Sequence, residues 1–486
     1  MNLDFSTATA GQLTLALRSR QISSRELLDQ LLTRSQQLNP AINAIIAWDT
    51  ERAQAAAARA DDATARGETT GALHGLPMTV KDVFETEGLV TTSGAPELAK
   101  HVPGTDALAV ARLKAAGAIV FGKTNTPMYA GDWQTYNEVY GRTGNPWDPG
   151  RTAGGSSGGA AAAVAAGLTP LELGSDIGGS IRNPSHYNGV YGLKPSWGIV
   201  PVRGHIPGPP GSLVTVDVGV AGPIGRSIAD LRTALQVLAG PLPEDAPGWR
   251  LELDEGPPIA GPAGLRVATV FGEGTDVVPV AADVRACLDA FAGRLADAGA
   301  HVDAVPLPVS LAAGLATWRD LTLPTIGAGL PDAEFARLAA LENEAGDDPA
   351  VTIARAMTSR YRDWLSAVDV RQRQRLAWAE FFGHYDVVLA PVMPTAAFPH
   401  DTDRPMADRL LDVDGVAVPH FLAAAWCGAI GAMQLPAVAL PAGPNQAGLP
   451  VGIQVIGPFL SDLRLLQIAE VLEAAAGPGF TPPPLG

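Results

Sequence analysis

Two hydrophobic periods divide the chain. Over residues 1–67 apolar positions recur at helical spacing: "SSRELLDQLLTRSQQL" opens with Ser23 and Glu26 in the pattern of a capping box, and "TERAQAAAARADDATAR" is alanine-rich. This predicts an N-terminal helical layer. From residue 68 to 486 short apolar runs alternate with helical stretches. The predicted strands are "MTVKDV", "AIVFG", "LELGS", "RVATVF", "HVDAVPL", "YDVVLAP", "PAVALPAG" and "PVGIQVIG"; the predicted helices include "TDALAVARLKAAG", one from Gly158 to about Ala166 and one near 281–298. Such alternation predicts an α/β fold with a buried sheet, its core at about 70–240 and a C-terminal sheet portion at 385–475. Residues 240–263 are rich in proline and glycine and read as a surface connection. Residues 310–382 read as a helical insertion carrying Trp318, Tyr361, Trp364 and Trp378, aromatics that serve either as ordinary core or as the roof of a pocket. The tail "GPGFTPPPLG" is expected to fray.

Composition narrows the function classes. With 47% hydrophobic residues, 17% charged residues and a net charge of -16, the chain reads as a globular protein whose field repels phosphate backbones, so no nucleic acid is expected as a partner. The start, "MNLDFSTATAGQLTLALRSR", has an acid at Asp4, no basic leader and no long apolar run, which predicts a cytoplasmic protein with no membrane span. Cys287 and Cys427 match no metal-ligand spacing and read as buried structural thiols. The five lysines, Lys81, Lys100, Lys114, Lys123 and Lys194, matter because lysine, unlike arginine, can lose its proton in a protein.

Three readings compete for the glycine- and serine-rich stretches. "GAIVFGKT" (117–124) matches a phosphate-loop pattern, but its variable positions are themselves a strand and Pro127 discourages a helix after the lysine. "GGSSG" (154–158) matches the nucleophile elbow of Ser-His-Asp hydrolases, which requires a strand entering the serine, where "NPWDPGRTA" does not read as one, and a histidine base. The third reading joins both serine clusters. A helix after Gly158 rising about 14 Å and a returning strand of about 16 Å bring Ser156 and Ser180 to the same end of one unit. Ser180 follows "DIGG", whose backbone N–H groups can face a developing oxyanion, and Ser156 can pass its proton to a base. That base is expected to be Lys81 in "GLPMTVKDVFET", provided that burial brings its pKa from about 10.4 to near 7, which takes about 4 kcal/mol of desolvation.

The segments "GLPMTVKDVF", "GKTNTPMYA", "GNPWDPGRTAGGSSGGAAAAVAAG", "GSDIGGSIRNPSHYNGVYGLKPSWGIVP", "GPIGRSIADL", "LPAVALPAG" and "GLPVGIQVIGP" closely resemble the amidase signature family. The resemblance is dense from about 70 to 235 and resumes from about 385 to 475. It implies a large mixed, twisted sheet with helices on both faces, and a Ser-cisSer-Lys arrangement with Ser180 as nucleophile, Ser156 as bridge across a cis Gly155–Ser156 peptide, and Lys81 as base. It also implies an oxyanion hole from Ile177, Gly178 and Gly179, with Ser157, Asp176 and Arg182 in support and no metal or organic cofactor. The chain departs from the family pattern at Ala153, where proline is usual, and at Asn188, where cysteine is common. Met128, Tyr129, Arg203 and His205 are candidate pocket residues, on loops near 128–137 and 200–213. The expected activity is hydrolysis of a carboxamide, aryl amide, ester or carbamate (urethane) by a serine acyl-enzyme, as a monomer or homodimer. Its alternatives are the glutaminase component of a tRNA-dependent amidotransferase, a Ser-His-Asp hydrolase and a non-catalytic binding module.

Overall fold

The computed structural model describes residues 4–272, 274, 276–341 and 349–485. Among these, eleven strands form one sheet: β1 (Ile45–Trp48), β2 (Pro77–Lys81), β3 (Ile119–Thr124), β4 (Leu171–Asp176), β5 (Tyr191–Lys194), β6 (Val220–Gly225), β7 (Arg266–Thr269), β8 (His301–Ala304), β9 (Val387–Pro391), β10 (Ala437–Pro444) and β11 (Pro450–Ile456). Across the sheet they run β1-β3-β2-β4-β6-β5-β10-β11-β9-β7-β8. The pairs β3–β2, β2–β4, β9–β7 and β7–β8 are parallel and the others antiparallel, so the sheet is mixed.

Every residue of β2, β3, β4, β5, β6, β9 and β11 is buried. Side chains alternate between the faces of a strand, so continuous burial means cover on both faces. The helices supplying it are α1 (Ala10–Arg18), α2 (Ser24–Ile42), α3 (Thr50–Ala65), α4 (Leu108–Ala115), α5 (Gly158–Ala165), α6 (Arg182–Asn188), α7 (Ile228–Leu238), α8 (Ala282–Asp297), α9 (Leu311–Gly327), α10 (Asp332–Leu341), α11 (Pro349–Met357), α12 (Tyr361–Phe381), α13 (Ala425–Ala432) and α14 (Asp462–Ala476). Helices α5 and α7 both pack on β6, and α6 and α8 both pack on β10.

The structure departs from the sequence reading at its weakest signals. The capping box at Ser23 and Glu26 forms at the start of α2, but the four residues of β1 interrupt the expected helical layer and pair with β3 at the sheet edge. A four-residue strand between two strong helices leaves almost no period to read. The tail has no regular element, yet the Phe480 ring lies 6.0 Å from the Arg226 guanidinium, so it is packed rather than frayed. In the 310–382 stretch Trp378 is core, while Tyr361 and Trp364 stack on each other near the surface. Only Trp318 turns toward the serine clusters. Cys427 is buried as expected, whereas Cys287 is only half-buried. No helix among the described residues is long and apolar enough to cross a membrane.

Candidate active site

Strand β2 delivers Lys81 to the sheet interior. Its backbone lies between two parallel neighbours, β3 and β4, and its side chain is fully buried. The Lys81 Nζ stands 2.6 Å from Ser156 Oγ and 3.0 Å from Ser175 Oγ. Burial brings its pKa down to about 7, against the pull of Asp176 and Glu172, which favour the ammonium. Glu172 is itself buried, accepts hydrogen bonds from the hydroxyls of Thr79 and Thr124, and is raised by burial to about 8.

The two serine clusters meet as the length argument requires. Helix α5 runs away from Ser156 and β4 returns, and Ser157 N–H then donates to the Ser180 carbonyl at 3.1 Å. The Ser157 hydroxyl donates to the Ser175 carbonyl at 3.3 Å, tying the same turn to β4. The Gly155–Ser156 peptide is cis. Three side chains hold the carbonyls leading into it: Asn188 Nδ2 on Ala153 (2.8 Å), Thr135 Oγ1 on Gly154 (2.8 Å) and Asn183 Nδ2 on Gly155 (2.9 Å). Asn188, one of the two departures from the family pattern, therefore has a structural task. Ser156 is 1% exposed and Ser180 5%, so both are buried with Lys81.

The loop between β4 and Ser180 is built around Asp176. Its carboxylate accepts from Gly179 N–H at 2.7 Å, Ile181 N–H at 3.1 Å, and Arg182 Nε and Nη2 at 3.0 and 2.9 Å. Burial alone would raise this carboxyl, but Arg182 overcomes it and holds the pKa at about 2. Arg182 in turn donates to the Cys427 carbonyl and Gln454 Oε1, at 2.9 and 3.1 Å. Gly179 adopts φ +112, and a Cβ there would lie 2.8 Å from Cys427 Cβ, so only glycine lets its N–H fold back onto Asp176. This corrects one expectation: the Gly179 N–H is consumed inside the loop and does not face a substrate. Among the described residues, the N–H groups of Ile177, Gly178 and Ser180 have no protein acceptor. The carbonyls of the same loop are capped by indoles, Trp318 Nε1 on Ile177 at 2.8 Å and Trp133 Nε1 on Gly178 at 3.0 Å.

The four pocket candidates fare unevenly. Arg203 pairs with Glu244 near the surface and bonds to none of the Lys81, Ser156 or Ser180 side chains. Met128 and Tyr129 sit on a short turn, Met128 exposed and the Tyr129 hydroxyl donating to Glu97 at 2.5 Å; neither bonds to the Lys81, Ser156 or Ser180 side chains. The His205 ring packs edge-on against Phe84, 5.1 Å between centroids, and burial together with the charges of Lys81 and Lys123 holds its pKa at about 3.

The rival motif readings are decided by surroundings. "GAIVFGKT" contributes the buried strand β3 to the sheet. Contrary to expectation, a strand does precede "GGSSG": Asp148–Thr152 pairs with Gly144–Asn145 in a two-stranded ribbon. Among the described residues no histidine bonds to Ser156, Ser157 or Ser180. His186 is held by Gly452 N–H and the Thr395 carbonyl, and His420 lies 3.4 Å from Asp132, whereas the partner of Ser156 is Lys81. Sequence reasoning missed Ser175, Asn183, Thr135 and the bonds that Trp133 and Trp318 make to the loop before Ser180. A glutamate, a serine and an aspartate in the short buried run "LELGSD", and two asparagines in a buried helix, are the available signals. Among the described residues no group of three or more His, Cys, Asp or Glu is arranged to hold a metal ion.

The family model for amidases matches residues 26–466. One component of the glutamyl-tRNA(Gln) amidotransferase of Synechococcus sp. (strain CC9605) is 34% identical, covering 95% of this chain and 94% of its own. An indoleacetamide hydrolase from Bradyrhizobium diazoefficiens is 35% identical, covering 95% and 85% respectively. Among solved structures, a bacterial aryl acylamidase of the amidase signature family superposes with a TM-score of 0.80 at 26% identity, covering 97% of this chain and 96% of the other. The mixed helix-covered sheet, the lysine-to-serine line of contacts and these likenesses agree, and the chain belongs to the amidase signature family.

Proposed function

We propose that this chain hydrolyses a carboxamide, or a related aryl amide, ester or carbamate, through an acyl-enzyme on Ser180. The observation that carries the reading is the buried contact of Lys81 Nζ with Ser156 Oγ at 2.6 Å, on a turn that the Ser157 N–H bond of 3.1 Å to the Ser180 carbonyl holds beside Ser180. Neutral Lys81 takes the proton of Ser156 as Ser156 takes that of Ser180, and Ser180 Oγ forms its bond to the substrate carbonyl carbon. The resulting oxyanion is received by the unpartnered N–H groups of the 177–180 loop, each such donor being worth about 3 kcal/mol in the transition state. Collapse breaks the bond to the leaving amine, which receives the proton back from Lys81 through Ser156. Water then attacks the Ser180 ester and gives its proton to Lys81 along the same path; collapse breaks the Ser180 Oγ–acyl bond, the proton returns through Ser156 to Ser180 Oγ, and the acid leaves.

Two half-buried indoles, Trp133 and Trp318, lie 6.4 Å apart beside the loop. With their N–H groups turned to backbone carbonyls they offer the substrate apolar ring surface, which supports an acyl or amine part that is planar and uncharged. The test is a panel of anilides, primary amides, esters and carbamates, with mass spectrometry of a slowly hydrolysed substrate to locate the trapped acyl group. Ser180 should carry it. An acyl group on Ser156 or Ser157, with none on Ser180, would overturn the assignment.

A second reading rests on the likeness to the glutamyl-tRNA(Gln) amidotransferase component: a glutaminase that passes ammonia to a partner. Glutamine turnover that appears only with partner proteins, with no activity of the single chain on the panel, is the result that would establish it.

A further inference from the structure

Two peptide groups of the loop before Ser180 are each held at one end by an indole, but only one of them has its other end free. In a trans peptide the C=O of one residue and the N–H of the next point in opposite directions. The 178–179 peptide is fixed at both ends, by Trp133 on the Gly178 carbonyl and by Asp176 on the Gly179 N–H at 2.7 Å. The 177–178 peptide is fixed at its carbonyl alone, by Trp318 at 2.8 Å, and leaves its Gly178 N–H unpartnered on the opposite side.

The indole of Trp318 is seated closely enough to set that direction. A Cβ at Gly178 would lie 2.8 Å from Trp318 Cζ2, and on the other side a Cβ at Gly428 in α13 would lie 3.1 Å from Trp318 Cδ2. The ring is thus wedged between two glycines, one in the loop and one in a buried helix, with α9 packed on α13 behind it. A carbonyl that accepts a hydrogen bond also polarises its peptide, making the attached N–H a stronger donor.

We propose that Trp318 is a positioning residue for the oxyanion hole: by holding the Ile177 carbonyl it aims and polarises the Gly178 N–H toward the anion formed on attack by Ser180. This rests on the reading of Ser180 as nucleophile. It makes helix α9, through Trp318, a support of the chemistry. Trp133, whose peptide ends on Asp176, has the smaller part.

The test compares wild type, Trp318→Phe, Trp133→Phe, and a protein with 3-benzothienylalanine placed at position 318, an isostere of tryptophan with sulfur in place of the N–H. Labelling of wild-type Ser180 by a fluorophosphonate is checked first; its absence would sink the Ser180 reading and say nothing of Trp318. With Ser180 labelled, Trp318→Phe and the isostere should each lose about 10- to 100-fold in kcat, with KM within about threefold. The affinity for an arylboronic acid, which forms a tetrahedral adduct, should fall by the same factor as kcat. Trp133→Phe should lose less than Trp318→Phe. If the isostere keeps wild-type kcat and boronate affinity, or if its loss appears wholly in KM, the indole is only a wall and the proposal fails. Because the isostere keeps the shape of the ring, it decides the matter even if Trp318→Phe does not fold.

Discussion

The surroundings of Lys81 and Lys123 make an instructive pair, because the two lysines occupy neighbouring parallel strands, β2 and β3, one register step apart and equally buried. Burial lowers both, Lys81 to about 7 and Lys123 to about 8. Their partners differ. Lys123 Nζ donates to the Phe84 carbonyl and to Thr86 Oγ1, and the nearby Asp82 carboxylate favours its charge. Lys81 meets two hydroxyls, on Ser156 and Ser175. A carbonyl only accepts, and the Thr86 hydroxyl already donates to the Phe84 carbonyl at 3.1 Å, so neither offers a proton to the lone pair of a neutral amine, whereas a free hydroxyl can donate to that lone pair or accept from the ammonium. Lys194 extends the lesson: burial brings it to about 7 as well, yet its bonded partner is the Pro195 carbonyl at 2.9 Å. A depressed pKa is therefore insufficient to mark a base; the chemistry of the groups facing the nitrogen separates Lys81 from the other two.

The comparison is broken most forcefully at Lys81 itself. Lys81→Ala should reduce kcat by about 10⁴-fold or more, with an unchanged circular dichroism spectrum. Substantial turnover in a folded Lys81→Ala protein would end the case for a lysine base. The pH profile gives the next largest effect. Since the neutral amine is the working form, kcat/KM should rise with pH through about 7 and fall roughly tenfold for each pH unit below it. Glu172, neutral up to about 8, should shape the upper end, because its ionisation would restore proton affinity to Lys81. A flat profile from pH 5 to 9 with the chemical step rate-limiting would count against the assignment.

How much of the site is legible in the sequence follows from distance along the chain. Lys81, Ser156 and Ser180 can be named because each sits in a local setting with a physical meaning: an apolar strand, a glycine turn before an alanine helix, a glycine turn after a strand. Helix α5 and strand β4 match the two lengths that bring the serines together. What escapes the sequence depends on contacts made from afar. The acceptor of the Gly179 N–H, the Asp176 carboxylate, lies three residues away, but only a left-handed backbone brings the two together. Trp318 reaches Ile177 across 141 residues, and Arg203 finds Glu244 41 residues later. No periodicity records such pairings, so type alone assigns aromatics and arginines to core, roof or pocket.

Ser175 offers a finer cut. It is the second hydroxyl on Lys81, at 3.0 Å, and belongs to no serine motif. Ser175→Ala should lower kcat about tenfold, the cost of one hydrogen bond to a group that is charged for part of the cycle, while fluorophosphonate labelling of Ser180 should slow but remain. If Ser175→Ala is as inert as Lys81→Ala, the relay runs through Ser175 and the role of Ser156 must be rewritten.

The smallest effect on catalysis is expected where the eye sees the closest likeness. Lys123→Met removes a buried cation from between the Phe84 carbonyl and Asp82, which burial already raises to about 6. Breaking such a buried arrangement on one side typically costs about 3 to 5 kcal/mol of stability, so the melting temperature should drop by several degrees. Turnover per active site, normalised by fluorophosphonate titration, should stay within about threefold of wild type, since Lys123 faces neither serine. The loss should also be partly recovered at low pH, where Asp82 can protonate and no longer needs its partner: a carboxyl raised by burial is the easier to neutralise as the pH falls through about 6. Calorimetry from pH 5 to 8 reads this directly. A Lys123→Met protein that melts normally yet has lost its turnover would show that both lysines belong to one proton circuit, and that the division drawn from their partners is false.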